Sequence, residues 1–191
     1  VTATGLIFLI FFFVMLIYGI FTYNRLVGLK HAVAKAWANI DVLLKQRHDE
    51  LPKLVETCRQ FMKFEQETLE KVMLARSQVS QARERRDISA LGQAEGALRA
   101  GLGHLFAVAE AYPELRSNET FQHLQTRISG LENAIADRRE FYNESVNLNN
   151  VAVEQFPDVV IAQLTGFVPF RLLKFSAQET GDISVASLFK G

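Results

Sequence analysis

The sequence predicts an all-α protein: an N-terminal transmembrane helix continuing into a bundle of about four long antiparallel helices, with a short C-terminal helix and extended tail. Three observations carry that reading. The first 24 residues hold no charge and include the run "GLIFLIFFFVMLIYGIFTY" from Gly5 to Tyr23. Prolines occur only at positions 52, 113, 157 and 169, which leaves three intervals of more than 40 residues free of the residue that most disrupts a helix. Within those intervals apolar residues recur at steps of three and four, the period of one helix face. The boundaries that follow are 1–23 for the transmembrane anchor, 24–156 for the helical bundle and 157–191 for the C-terminal short helix and tail.

The apolar run supplies 19 residues, and at about 1.5 Å each these approach the ~30 Å hydrocarbon core of a bilayer. A cleaved signal peptide has a shorter apolar region, roughly 7 to 15 residues, ending in small residues; "GIFTYNRL" has no such site. Residues 25–47 carry Arg25, Lys30, Lys35, Lys45 and Arg47 against Asp41 alone, while the visible N-terminal flank carries none. That asymmetry predicts a single-pass topology with the N-terminus outside and the C-terminal domain cytoplasmic. Tyr18, Phe21 and Tyr23 lie where interfacial aromatics are expected.

Lys plus Arg and Asp plus Glu both number 21, so net charge gives no reason to expect a nucleic-acid partner. The single cysteine, Cys58, excludes an internal disulfide and falls on an apolar helical stripe, where it reads as a small buried hydrophobe.

The first helix leaves the membrane with the stripe Leu26, Leu29, Val33, Trp37, Ile40 and Leu44, and is expected to stop near Arg47. The second is expected over about 50–85, with Asp49 as N-cap and Pro52 in its first turn, where a missing N–H costs little. Its stripe runs through Leu51, Leu54, Val55, Cys58, Phe61, Met62, Leu69, Val72, Met73 and Val79. "RERRD" at 83–87 is a charged break. Leu91, Leu98, Leu102, Leu105 and Ala109 mark the third helix, which ends at Tyr112 and Pro113. Gly92, Gly96 and Ala100 fall four apart on it, and either permit close helix contact or mark a loose helix. The fourth starts at "RSNETF", capped by Ser117 or Asn118, and runs to about Gln155 through Phe121, Leu124, Ile128, Leu131, Ile135, Tyr142, Val146 and Val153.

These lengths conflict with a straight bundle coaxial with the anchor. Residues 24–47 span about 36 Å, whereas the second and fourth helices span over ~50 Å. Their ends carry charges and amides that hydrocarbon does not accept. The bundle must therefore tilt or bend, near Gly28, or the long helices must break. If it leans, the basic cluster meets lipid headgroups, each basic residue adding ~1 kcal/mol. The membrane-surface candidates are Arg25, Lys30, Arg83, Arg85 and Arg86.

Polar residues also stand in register with the apolar stripes: Arg47 on the first helix, Glu65 and Arg76 on the second, Arg138 and Asn149 on the fourth. Buried polar groups are costly unless paired, so these must find one another, find water or lie outside the packed region. In "REFYNESVNLNNVAVEQFP", Asn149 falls on the core stripe, Asn143 and Asn150 on its flank and Asn147 on the opposite side. Asn143, beside Tyr142, and Asn149 are expected to bond across helices or subunits. Arg47, Glu65, Arg76, Arg138, Tyr142, Asn143 and Asn149 are thus structural or interface candidates rather than catalytic ones. His31, His48, His104 and His123 lack metal-ligand spacing, no serine sits in a nucleophile elbow, and "GQAEGALRAGLG" has helical surroundings unsuited to a phosphate loop. No catalytic residue, cofactor or metal is expected. The glycosylation patterns at Asn118 and Asn143 have no meaning in a cytoplasmic domain.

"YNRLVGLKHAVAKAWANIDVLLKQRHDELPKLVETCRQFMKFEQETLEKVMLARS" (23–77), "AYPELRSNETFQHLQTRISGLENAIADRREFYNESVNLNN" and the following "FP" resemble the LemA family. The most specific elements are Trp37 to Asp41, Leu51-Pro52, Tyr112 to Leu115 and Arg139 to Asn143. The resemblance implies a bundle of long antiparallel helices anchored in a bacterial inner membrane, no established enzymatic activity, and relatives implicated in membrane organisation. Family members often carry a second Tyr-Asn pair, whose place here is Leu148-Asn149. The expected role is a non-enzymatic membrane scaffold, contacting lipid, self-associating as a homo-oligomer, with a membrane-protein partner as a further possibility. The second reading is a sensor or adaptor subunit for a membrane protease or signalling partner.

Overall fold

The computed structural model describes residues 3–175. It contains α1 (Ala3–Phe61), α2 (Gln66–Glu84), α3 (Ile88–Ala109), α4 (Pro113–Arg116), α5 (Glu119–Glu154) and α6 (Asp158–Thr165), with an irregular segment to residue 175. Among the described residues there is no strand, so the all-α class stands. The later part of the expected tail, 176–191, lies outside the described residues.

The first helix does not stop near Arg47. It continues through Pro52 to Phe61, so the helix expected over 50–85 is two pieces, and Asp49 is an interior residue rather than a cap. Proline in a helix interior leaves the carbonyl four residues earlier without its usual donor. Here that carbonyl belongs to His48, and it accepts from Arg76 Nε at 2.9 Å. The acceptor that Pro52 leaves is therefore taken up from α2. Leu51, Leu54, Val55 and Cys58 are buried on both sides of the proline, and their packing continues the helix where local propensity alone would end it.

The chain reverses over Met62–Glu65 instead. Arg76 pairs with His48, and Arg83 lies 3.7 Å from Asp41. Both pairs are centred on residue 62, so α2 returns antiparallel beside the second half of α1. At 19 residues, or roughly 28 Å, α2 is much shorter than expected. Of the remedies for the length conflict, a broken second helix is one that the fold adopts.

The other ends follow their caps. Asp87 Oδ1 accepts from the backbone N–H of Ser89 (3.1 Å) and Ala90 (3.0 Å) to start α3, just after Arg86 takes a left-handed φ of 52° in the "RERRD" turn. Pro113 occupies the first turn of α4. Asn118 Oδ1 accepts from Phe121 N–H at 3.0 Å at the start of α5. α3 is continuous, and a Cβ on Gly92 would collide with the Lys174 carbonyl oxygen, so this glycine admits the backbone of the irregular segment after α6 and not, as expected, a neighbouring helix.

Two compact units divide the chain. Among the described residues, the first comprises 3–38 with 141–172, and the second 39–140 with 173–175, so α1 and α5 contribute to both. In the first, Leu26, Ala152, Val153 and Ala162 form a buried apolar cluster, with Leu29, Ile161 and Phe167 packed against it. The second is built on buried Leu44, Leu54, Leu91, Leu98, Phe121 and Ile128, among others.

Because Asp49 lies within a helix, Asp49→Ala is expected to change stability by less than about 0.5 kcal/mol. Loss of a true N-cap costs about 1 kcal/mol. Thermal denaturation followed by circular dichroism in detergent distinguishes the two.

Candidate functional site

In the first unit, every large apolar side chain from Leu6 to Ile17 is at least 46% exposed, on a helix apolar and long enough to cross a membrane. At the end of this stretch stands Asp158, the first residue of α6, only 2% exposed. Its Oδ1 accepts from Tyr18 Oη at 2.6 Å and Thr22 Oγ1 at 3.3 Å; its Oδ2 accepts from Arg25 Nη2 at 2.5 Å and Gln155 Nε2 at 3.4 Å. Tyr18, Thr22 and Arg25 recur at steps of four and three, so one face of α1 presents three donors in line. A carboxylate removed from water demands such partners, and bonds to an ionised acceptor are about twice as strong as neutral ones.

The segment after α6 is held by α5. Asn150 donates from Nδ2 to the Phe170 carbonyl at 2.9 Å and accepts at Oδ1 from Phe170 N–H at 2.8 Å, as a neighbouring strand would. The Tyr142 hydroxyl donates to the Arg171 carbonyl at 3.1 Å, and its ring meets Trp37 edge-on, with centroids 5.8 Å apart. Asn149 is fully buried; its Nδ2 lies 3.4 Å from the Val168 carbonyl, while Oδ1 has no hydrogen-bond partner. Asn143 is half-buried and Asn147 exposed. The strongest amide clamp is thus Asn150, which the sequence placed on the flank with no assigned task.

In the second unit Arg47 is 1% exposed and bridges two carboxylates: Nη1 donates to Glu132 Oε1 at 2.5 Å, and Nη2 to Glu95 Oε1. The cluster joins α1, α3 and α5. Burial works against the Arg47 charge, but the two glutamates outweigh it and hold its pKa above the usual value. Burial pushes the Glu95 carboxyl up; Arg47 pulls it down without cancelling the rise, to which the Glu132 charge adds.

Nearby, Arg76 Nη2 donates to His48 Nε2 at 2.7 Å. Burial, then the Arg76 charge, lowers the His48 pKa. Glu65 precedes α2 and accepts from the Tyr112 hydroxyl at 3.3 Å. Cys58 is fully buried, its thiol pushed up to about 12 by desolvation.

Arg138 is exposed, contrary to its expected place in the core register. At about 100° per residue it falls some 60° from Ile135, outside the stripe that Ile135, Tyr142, Val146 and Asn149 define. Arg139 lies on the other edge, its guanidinium 4.3 Å from the Phe175 ring centroid. Of the membrane-surface candidates, Arg25 is turned to Asp158, Lys30, Arg85 and Arg86 are exposed, and Arg83 faces Asp41. Sequence reading missed Glu95, Glu132 and Asp158. Glu95 lies four residues from Leu91 and three from Leu98, and Glu132 stands between Ile128 and Ile135, so helical register alone pointed at both. Asp158 is the sole charge in a 16-residue stretch, Gln155 to Phe170, which was its signal. Among the described residues, no group of three or more His, Cys, Asp or Glu is placed to hold a metal ion.

The fold and this arrangement define a membrane-associated helical protein whose apolar helix is keyed to a segment near its own C-terminus. The chain belongs to the LemA family, whose sequence model matches residues 36–186. It is also similar to magnetosome protein MamQ of Magnetospirillum gryphiswaldense and to magnetosome proteins MamQ 1 and MamQ 2 of Paramagnetospirillum magneticum, each 35% identical over 96 residues. The matched stretch covers 50% of this chain and 35% of each relative, so the chain spans about a third of the length of these curated relatives.

Two outcomes follow for the buried charges. Arg47→Met strands two carboxylates and is expected to cost about 3–5 kcal/mol, whereas replacing Arg47, Glu95 and Glu132 together by Met, Leu and Leu recovers most of that loss; urea denaturation in detergent measures both. For His48, the unfolded imidazole takes up its proton near the ordinary value of about 6.5, before the folded one does. Stability therefore falls as pH drops below that value toward the lowered folded pKa. His48→Gln, which keeps an acceptor for Arg76, is expected to show a smaller drop in Tm between about pH 7.5 and about pH 5 than the parent protein.

Proposed function

We propose that this protein is a single-pass membrane scaffold of a bacterial inner membrane, with its N-terminus outside and its helical domain cytoplasmic, which self-associates to organise or shape the membrane. The observation that carries this reading is the continuity of α1. One helix runs from the exposed apolar stretch into the packed core, and Asp158 binds three of its residues next to that stretch. The basic residues from Arg25 to Arg47 support the cytoplasmic assignment. Membership of the LemA family and the likeness to proteins named for the magnetosome are consistent with a structural role.

A sensor or adaptor role is the second reading. It is favoured by the α1–α2 hairpin, whose register is held by the pairs His48–Arg76 and Asp41–Arg83, because small register shifts of packed helices are an established mode of switching.

The scaffold reading is tested by mass photometry of the protein in nanodiscs with electron microscopy of reconstituted vesicles. A defined multi-copy mass and altered vesicle shape are expected. A monodisperse single-copy mass with unchanged vesicles overturns it. A partner that co-purifies in stimulus-dependent amounts moves the assignment to the adaptor.

A further inference from the structure

We infer that α6 and the residues flanking it form a second membrane contact, an uncharged wedge lying in the headgroup and upper acyl region beside the spanning helix. The inference rests on the reading of α1 as a membrane span. From Gln155 to Phe170 the sole charged residue is Asp158, and that residue is buried. The exposed surface of the segment therefore carries no charge. It is instead apolar at a regular interval: Phe156, Val160, Leu164 and Val168 recur every fourth residue and are 82%, 48%, 79% and 63% exposed. Val160 and Leu164 share one face of α6, and Asp158 and Ala162 share the buried one.

What covers that outer face follows from where α6 is fastened. Asp158 bonds to Tyr18, Thr22 and Arg25, Ile161 lies against Gly19, and the Phe167 ring meets Tyr23 at 5.9 Å between centroids. All these α1 residues except Arg25 belong to the uncharged run that the span comprises. Tyr18 precedes Arg25 by seven residues, about 10 Å along the helix. A segment attached over that interval lies at the level where α1 passes from hydrocarbon to headgroups. Interfacial helices bury an apolar face about 5–10 Å deep at that boundary. Phe21, at the same level of α1, is itself 70% exposed. Burying Asp158 against α1 removes the one group that such a depth excludes.

The test is nitroxide accessibility in vesicles of phosphatidylethanolamine and phosphatidylglycerol, using Leu164→Cys and, independently, Val168→Cys. Phe12→Cys marks the span and Glu119→Cys marks water. The native Cys58 is buried with its thiol pushed up to about 12, and the unsubstituted protein reports its background labelling. At both wedge positions the ratio of oxygen to nickel-chelate collisions is expected to exceed that at Glu119 several-fold and to approach that at Phe12. A water-like ratio at Leu164 and Val168 with a lipid-like ratio at Phe12 overturns the wedge and leaves the anchor standing. A water-like ratio at Phe12 overturns the anchor and the wedge with it. Low collision with both reagents together with dipolar broadening at Leu164 assigns the face to a second copy of the chain and also overturns the wedge.

Discussion

A carboxylate at 2% exposure cannot stand alone, and the arrangement around Asp158 is the constraint on which the first unit depends. Four donors from two stretches of chain converge on it: Tyr18, Thr22 and Arg25 from α1, and Gln155 from the turn before α6. Its place fixes α6 along α1. That in turn brings the following residues within reach of α5, where Asn150 and Tyr142 hold the backbone at Phe170 and Arg171. Leu26, Ala152, Val153 and Ala162 form one buried apolar cluster of this unit. Non-directional packing among such residues leaves register loosely specified, and the polar contacts supply the direction that it lacks.

The second unit applies the same logic to Arg47. A buried ion pair contributes little net stability relative to apolar residues of similar size, but breaking it is expensive, so it selects against misregistered packing. Arg47 reaches α3 and α5 from α1, and Arg76 reaches α1 from α2, where the carbonyl freed by Pro52 is waiting. Each helix of this unit longer than one turn is thereby tied to α1 by a directional contact or through α1's own ion-pair cluster. Long helices with repeating stripes can slide past one another by a turn at modest loss of apolar burial; charged pairs at fixed positions oppose such slips.

Helix identity was legible where periodicity was long and caps were plain. The α5 stripe, its Asn118 cap, the Asp87 break and the exposed Asn147 all read directly from residue type and spacing. The hairpin turn was not legible, because nothing at Met62–Glu65 resembles turn chemistry, while Asp49 and Pro52 imitate a helix start. Only the missing apolar residues between Met62 and Leu69, apart from the exposed Phe64, marked the reversal. Packing on both sides of Pro52 and the bond from Arg76 override the local signal there. Among polar residues, register found Arg47 and Asn149 on the inward faces, and the two partners of Arg47, Glu95 and Glu132, were visible by the same rule. The fastening of Asp158 was not, since it joins residues more than 130 positions apart.

Hydrogen–deuterium exchange in nanodiscs decides whether Asp158 fastens α6, by comparing the protein with a Tyr18→Phe, Thr22→Val, Arg25→Met variant that removes the α1 donors to Asp158. Faster exchange across α6 and residues 166–172, with α3 unchanged, is expected of the variant. Equal protection of α6 in the two proteins would contradict that fastening.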